Sequence, residues 1–256
     1  MAIITLTTDF GTRDGYVGAM KGVIARLVER ETQIIDIAHD IPRGDIAHAA
    51  WVLATSCREF PHGTIHVCVV DPGVGGERRE VVALGDGQIY IGPDNGVFTY
   101  VFQPNWDAYE IEDSTYSVFR ATHVSKTFHG RDIFAVAAAR IASGASPRKV
   151  GSEVRLTGTL PWGPRARGTG RVIHIDRFGN LVTDLPPLEA GKSVSVAGHK
   201  IPVVSTYADV KEGELLAYIG SAKTIEVAVR DGRADERLGV ERGTQVLPGE
   251  RAVPYR

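Results

Sequence analysis

Among 256 residues there are two cysteines, Cys57 and Cys68. Two thiols cannot supply the disulfide framework of a small secreted domain. Cys57 falls in a helical pattern and Cys68 in a strand pattern, so both read as small buried apolar residues. Net charge is also nearly absent: 29 basic and 31 acidic residues leave −2. Bulk attraction to nucleic acid or to an anionic membrane is therefore not expected. No run of about 18 apolar residues occurs, which argues against a transmembrane helix. The opening MAIITLTTDFG has no basic stretch before a long apolar one, so it reads as a first strand and not as a signal peptide. These absences together point to a cytoplasmic protein. Internal repeats are missing, as are G-x-x-x-x-G-K-[ST] and G-x-G-x-x-G.

What is present is an ordinary globular composition, 43% hydrophobic and 23% charged, enough for one or two cored domains. The first half alternates two periods. IITLTT, QIIDIAHDI and TIHVCVVD read as strands, the third apolar enough to be buried on both faces. Between them lie two helical stripes. One starts at DGYVGAMKGVI with Asp14 as N-cap; the other is capped by Asp45 and stopped by Pro61-His62-Gly63. This order predicts a parallel sheet. EVVALG and QIYIG follow, split by the hairpin signal Asp86-Gly87. Pro93-Asp94-Asn95-Gly96 predicts a turn with a short helix after it. A strand around AYEIED and a helix over RDIFAVAAARIASG, closed by Gly144, complete the unit.

Composition then changes. Residues 157–170, TGTLPWGPRARGTG, hold two prolines and four glycines, which reads as a linker. Beyond it no helical stripe stands out. Short strands recur at GRVIHID, NLVTDL, KSVSVAG, HKIPVV, ELLAYIG, TIEVAV and near TQVLP, the pattern of a small antiparallel barrel or sandwich. The expected organisation is an α/β domain over 1–156, a linker over 157–168 and a β-barrel domain over 169–256.

Ligands of open parallel sheets bind at the carboxyl ends of strands. Those ends carry Asp9, His39, Asp40, Asp71, Asp94 and Asn95. Each alone is explained by a turn or a cap; their convergence on one edge is less easily explained. A metal site built from Asp9, His39, Asp40, Asp71 and His129 is one reading, without any tight ligand motif behind it. VVDPGVGGERRE (residues 69–80) also raises a phosphate loop, but a strand pattern follows it, the motif lysine is absent and Asp71 would repel phosphate. A third reading is an acid–arginine–histidine constellation. Glycines between Asp71 and Arg78 could fold the arginine back onto the acid, and TFHGRDIF sets His129 just before a helix.

TTDFGTRDGYVGAMKGVI, VVDPGVGGERR, IGPDNGVF, TFHGRDIFAVAAA and IDRFGNLVTD, in that order over nearly the whole chain, resemble the S-adenosylmethionine hydroxide adenosyltransferase family, whose relatives include the fluorinases and chlorinases. The resemblance implies a Rossmann-like α/β domain followed by a β-barrel domain. It implies hydrolysis of S-adenosylmethionine to adenosine and methionine, with no cofactor and no metal. It implies a catalytic triad of Asp71, Arg78 and His129, and Asp9 as the ribose ligand. The IDRFGN motif would supply Asp176, Phe178 and Asn180, with the acid and the amide holding the methionine part; Tyr207 would stack on adenine, Ser221 would lie near the methionine carboxylate, and backbone groups at Arg230 and Asp231 would read the adenine edge. It further implies a homotrimer with each site between the N-domain of one subunit and the C-domain of the next. Where the fluorinase has a tyrosine, a serine and a tryptophan, this chain has Asp71, Gly130 and Gly44, which argues against halide chemistry. A halogenase and a non-catalytic nucleoside-binding module are the alternatives; an intact triad speaks for catalysis. Water, with a pKa of about 15.7, is the difficult nucleophile in such a reaction, and either Asp71 or His129 could take its proton.

Overall fold

The computed structural model describes residues 1–249 apart from 104, 115–116, 161 and 163–165. The chain divides into two compact units, Met1–Pro161 and Trp162–Arg256. Part of the expected linker, residues 161 and 163–165, lies outside the described residues.

The first unit is built on a six-stranded sheet of order β2-β1-β3-β5-β4-β6. Its strands are β1 (Ala2–Thr8), β2 (Thr32–Ala38), β3 (Ile65–Val69), β4 (Glu80–Gly85), β5 (Gln88–Pro93) and β6 (Asp107–Glu110). The pairs β1–β2, β1–β3 and β3–β5 are parallel, whereas β4 runs antiparallel to both neighbours. Every residue of β3 is buried, as its unbroken apolar run predicts for a central strand. Asp86 and Gly87 both take positive φ (49° and 72°) in the two-residue turn between β4 and β5, the geometry such a hairpin demands.

Helices α1 (Tyr16–Leu27) and α3 (Ala135–Ala142) cover one face of the sheet through Met20, Ile24, Ala138 and Ile141, packed on Ile4, Leu6, Ile65 and Val67. Helix α2 (Ile46–Ser56) joins Leu53 and Cys57 to a second cluster with Cys68, Tyr90 and Trp106. Both cysteines are free and buried, and burial pushes both thiols up.

Asp45 caps α2 as expected, its side chain accepting from the His48 N–H at 3.0 Å. Asp14 does not cap α1: Gly15 holds the cap position and no side-chain bond is made there. The helix expected after Pro93-Asp94-Asn95-Gly96 is replaced by overlapping turns, with Thr99 N–H on the Gly96 carbonyl and Val101 and Phe102 N–H both on that of Phe98. RDIFAVAAARIASG is helical, but it begins as one wide turn, Gly130–Phe134, in which the Ala135 N–H reaches back five residues to Gly130. Such widened turns concentrate at functional sites. Gly144 follows the helix end at φ +105°.

The second unit is an antiparallel seven-stranded sheet of order β10-β9-β13-β7-β8-β12-β11. Its strands are β7 (Gly170–Ile175), β8 (Leu181–Thr183), β9 (Ser193–Val196), β10 (His199–Pro202), β11 (Leu215–Ile219), β12 (Ile225–Val229) and β13 (Gln245–Gly249). A bridge from Val203, just past β10, to Ala217 on β11 brings the two edges together into a nearly closed barrel. Val172, Leu181, Val194, Ile201, Ala217, Val227 and Val246 fill it. The alternating pattern locates all seven strands. It does not show the short helix α4 (Ala234–Leu238), which ends on Gly239 in the left-handed conformation.

Candidate active site

The carboxyl ends of β1, β2, β3 and β5 lie side by side in the parallel part of the sheet, and each leads straight into one of the acids read from the sequence. Their fates differ. Asp71 meets Arg78 face to face: Nε lies 3.1 and 3.0 Å from Oδ1 and Oδ2, and Nη2 lies 2.5 Å from Oδ2. The same guanidinium sends Nη1 to Glu80 Oε1 at 2.5 Å and places Nη2 2.9 Å from His129 Nδ1. It also lies over the Phe134 ring at 6.0 Å. His129, 51 residues beyond Arg78, thus joins Asp71 and Arg78 in one buried cluster, with side chains 9%, 4% and 9% exposed.

The loop between β3 and β4 explains this convergence. Val74 N–H bonds back to the Asp71 carbonyl and Gly76 N–H to that of Gly73, two successive turns that reverse the chain. Gly75 sits at φ +76° with its Cα against the Lys126 carbonyl, where a side chain has no room. The loop is thereby held against the segment that leads into His129. A strand follows it, not a helix, so it lacks the helix N-terminus of a phosphate loop.

Glu80 belongs to this cluster, although no reading of the motifs points to it. The signal was available: it stands two residues after Arg78 at the start of a strand, the spacing that returns a side chain to the same face. Its Oε1 lies 2.9 Å from His129 Nδ1. Burial alone would raise its pKa, but hydrogen bonds from His129 and Arg78, with their charges, outweigh that and hold it down to about 2. Burial likewise works against the Arg78 charge, and the Asp71 hydrogen bonds reverse the effect, so its pKa is raised. Two carboxylates around one guanidinium leave an excess of negative charge, suited to a cationic ligand.

Asp9, at the end of β1, accepts the Gly44 N–H on Oδ2 at 2.7 Å. Gly44 takes φ +70° and lies beside Pro72, so this contact joins the β1 end to the Asp71 loop. His39 is a structural residue: Nδ1 meets Thr8 Oγ1 at 2.9 Å and Nε2 lies 3.1 Å from Asp36. Asp40 is exposed. Asp94 turns away from the cluster and accepts Thr157 N–H, Gly158 N–H, the Thr157 hydroxyl and Arg79. Asn95 donates to the Val70 carbonyl. Among the described residues no three His, Cys, Asp or Glu side chains gather as metal ligands.

Beside His129, the rings of Phe10, Tyr16 and Phe128 pack together with centroids 5.3–5.9 Å apart, Phe128 edge-to-face with both others and Phe10 tilted on Tyr16. They line a hollow of about 430 Å³ together with Ser125, Thr127 and Arg131. Aromatic ring edges and faces of this kind accommodate both apolar chains and cations.

In the second unit, Asp176 organises its own loop. Its Oδ1 accepts Phe178 N–H and Asn180 N–H, and its Oδ2 accepts the Asn180 amide at 2.8 Å. The Tyr207 hydroxyl lies 3.3 Å from Asn180 Oδ1. Phe178 projects with 71% of its surface exposed. Ser221 is exposed in the turn between β11 and β12. Arg230 donates to the Val210 carbonyl at 2.8 Å, and Asp231 takes φ +57°. The structure therefore brings Asp176, Asn180 and Tyr207 together, while Ser221, Arg230 and Asp231 stand apart from that hydrogen-bonded group.

The model for the SAM hydroxide adenosyltransferase N-terminal domain matches residues 4–151, and that for its C-terminal domain residues 170–247. The chain belongs to this family. An (R)-S-adenosyl-L-methionine hydrolase from Thermus thermophilus is 40% identical over 96% of this chain and 99% of its own. One from Salinispora tropica is 40% identical over 95% and 96%. A fluorinase from Nocardia brasiliensis is a more distant relative, 28% identical over 88% and 89%. The crystal structure of a conserved hypothetical protein from Thermus thermophilus matches with a TM-score of 0.83 at 38% identity, covering 97% of this chain and 100% of that one. The SAM hydroxide adenosyltransferase family so assigned is the one that the five motifs resemble.

Proposed function

We propose that this chain hydrolyses S-adenosyl-L-methionine to adenosine and L-methionine. A water molecule loses a proton to a base and attacks the ribose C5′. The C5′–O bond forms as the C5′–S bond breaks, and the sulfonium leaves as the neutral thioether of methionine. The relatives that bear the name (R)-S-adenosyl-L-methionine hydrolase support this activity. The observation that carries it is the Asp71–Arg78–His129 cluster, which a binding module would not need.

Within it we assign the proton to His129. When its Nδ1–H donates to Glu80, Nε2 keeps its lone pair and is the basic nitrogen. Asp71 is doubly occupied by Arg78 and serves to hold that cation in place. Arg78 directs its nitrogens to Asp71 and Glu80, so its role is to fix the two carboxylates and to temper their negative charge; its Nη2 lies beside the His129 Nδ1 whose hydrogen goes to Glu80. The excess of negative charge around Arg78 suits a sulfonium. Asp9 would hold the ribose through the carboxylate oxygen not used by Gly44.

Neutral water, deprotonated in place, fits this site better than halide does. The negative cluster repels a free anion. A side chain at Gly130 would press on Met20 and Phe10 at 3.3 Å, leaving little room for a serine. Asp176, Phe178, Asn180, Tyr207, Ser221, Arg230 and Asp231 are assigned to the methionine and adenine ends. We further propose that the protein works without metal or cofactor, in the cytoplasm, as a homotrimer in which the second unit of one subunit completes the site on the first unit of the next.

The test is incubation with S-adenosyl-L-methionine in ¹⁸O-labelled water. Adenosine labelled at the 5′ oxygen, equimolar with methionine, is expected. Unchanged substrate overturns the reading, and so does a 5′-chlorinated nucleoside formed in the presence of chloride.

A further inference from the structure

The second unit contains a chain of hydrogen bonds longer than its ligand residues require. Tyr207 Oη lies 3.3 Å from Asn180 Oδ1 and 3.0 Å from Tyr218 Oη, and Tyr218 Oη lies 2.7 Å from Glu226 Oε2. Glu226 is 9% exposed. Its carboxyl occupies the space where Gly220 has no side chain, directly beneath the turn that carries Ser221. We propose that Glu226, acting through Tyr218, sets the direction of this relay and thereby how tightly Asn180 holds the substrate. The inference rests on the reading that Asn180 and Tyr207 are ligand residues.

The direction of the relay follows from a count of protons. A phenol carries one hydrogen and can donate once. With Glu226 ionised, the carboxylate is acceptor-only and takes the Tyr218 hydrogen. Tyr218 oxygen then accepts from Tyr207, and Tyr207 has nothing left for Asn180. The distances follow that order, 2.7, 3.0 and 3.3 Å. Asn180 cannot turn its amide round, because its Nδ2 is held by Asp176 at 2.8 Å. Its Oδ1 therefore stays free to accept from a ligand, and an N–H of the substrate is the donor that fits. With Glu226 protonated, every bond reverses. Glu226 donates to Tyr218, Tyr218 to Tyr207, and Tyr207 to Asn180 Oδ1, in competition with the ligand.

The protonation needed is within reach, since burial raises the Glu226 carboxyl above its ordinary range and the nearby Asp176 charge adds to this against the Tyr218 bond. The pairing of β11, β12, β8 and β7 puts Tyr218, Glu226, Val182 and His174 on one face. The titratable groups around Glu226 are thus Tyr218, Tyr207, His174 and Asp176, and of the carboxylates Glu226 is the one bonded into the relay.

The test measures kcat and KM for S-adenosyl-L-methionine, and the Kd of adenosine plus methionine, from pH 5 to 8 in wild type, Glu226→Gln and Tyr218→Phe. Thermal melts confirm that each variant folds. In wild type, KM and Kd should rise roughly threefold to tenfold as pH falls, the weight of one hydrogen bond. Glu226→Gln should remove that rise. Tyr218→Phe should leave the Tyr207 hydrogen no protein acceptor but Asn180, so binding should be weakened at every pH. A merely structural role would change the melts and leave the pH profile of KM in place, and that result overturns the proposal. Binding of adenosine plus methionine that keeps this pH pattern without turnover would sink the hydrolase reading and uphold the relay.

Discussion

Glu80 Oε1 stands 2.9 Å from His129 Nδ1, and it does so because Arg78 draws the same oxygen to 2.5 Å. The carboxylate fixes which ring nitrogen carries the proton. Glu80→Gln keeps the shape and loses the charge. It should lower kcat by roughly 10²-fold or more, within the range of base catalysis, with KM nearly unchanged. An equal effect on KM would place Glu80 in substrate binding instead.

The same pair makes a pH prediction for stability. Glu80 is held down to about 2 from an ordinary 4.5. A depressed carboxyl stabilises the fold above its unfolded pKa, and that contribution fades as pH falls from 4.5 towards 2. At most about 3 kcal/mol is involved. Urea unfolding of wild type and Glu80→Gln should differ most at about pH 7, less at about pH 4, and hardly at all near pH 2. A gap that widens on acidification contradicts the assignment.

Arg78 separates charge from geometry. Arg78→Ala leaves Asp71 and Glu80 buried without a counter-ion, which costs about 3–5 kcal/mol, or a melting point lower by ~6–20 °C. Arg78→Lys keeps the charge but cannot form a fork on Asp71 while reaching Glu80 and His129. It should melt nearer to wild type and still lose most of its turnover. A lysine variant with wild-type kcat would show that only the charge matters.

Chelation should have no effect on activity. Asp71 and Glu80 both turn carboxylate oxygens to a guanidinium that stays cationic, which leaves no free pair of carboxylates there to coordinate a metal ion. Dialysis against EDTA followed by a rate assay checks this. Loss of rate restored by a divalent ion refutes it.

Much of this is legible in the sequence because it depends on periodicity. The strands of both sheets follow from alternation and unbroken apolar runs, and Asp45 and Asp86-Gly87 behave as local chemistry dictates. What depends on tertiary contact does not show. Asp94 looks like one more acid at the ligand edge, yet it anchors Thr157 and Gly158, the first of them 63 residues away. The first residues of the linker composition are accordingly pinned. Asp14 has capping chemistry, but Gly15 takes the cap position and the helix begins at Tyr16. Glu80 is hidden because a glutamate opening a strand is unremarkable until His129 arrives from a distant part of the chain. The Glu226 relay needs the registry of four strands and a count of hydrogens, neither of which a single sequence displays.

Gly75 sets the position of the whole loop. Its φ of +76° lies in the left-handed region, and its Cα faces the Lys126 carbonyl with no room for a methyl group. Gly75→Ala costs about 1–2 kcal/mol for the backbone alone, and relief requires the loop to move off the 126–129 segment. Arg78 would then reach Asp71 but lose its 2.9 Å contact with His129. Turnover should fall by at least about tenfold, because small displacements of a positioned base are expensive. Gly73→Ala is the control: its φ is not in the left-handed region, and an added Cβ meets the Arg78 stem at 3.4 Å, ordinary contact. It should keep most of its activity. Equal loss in both variants would mean that general loop flexibility, and not the apposition of Arg78 to His129, limits the reaction.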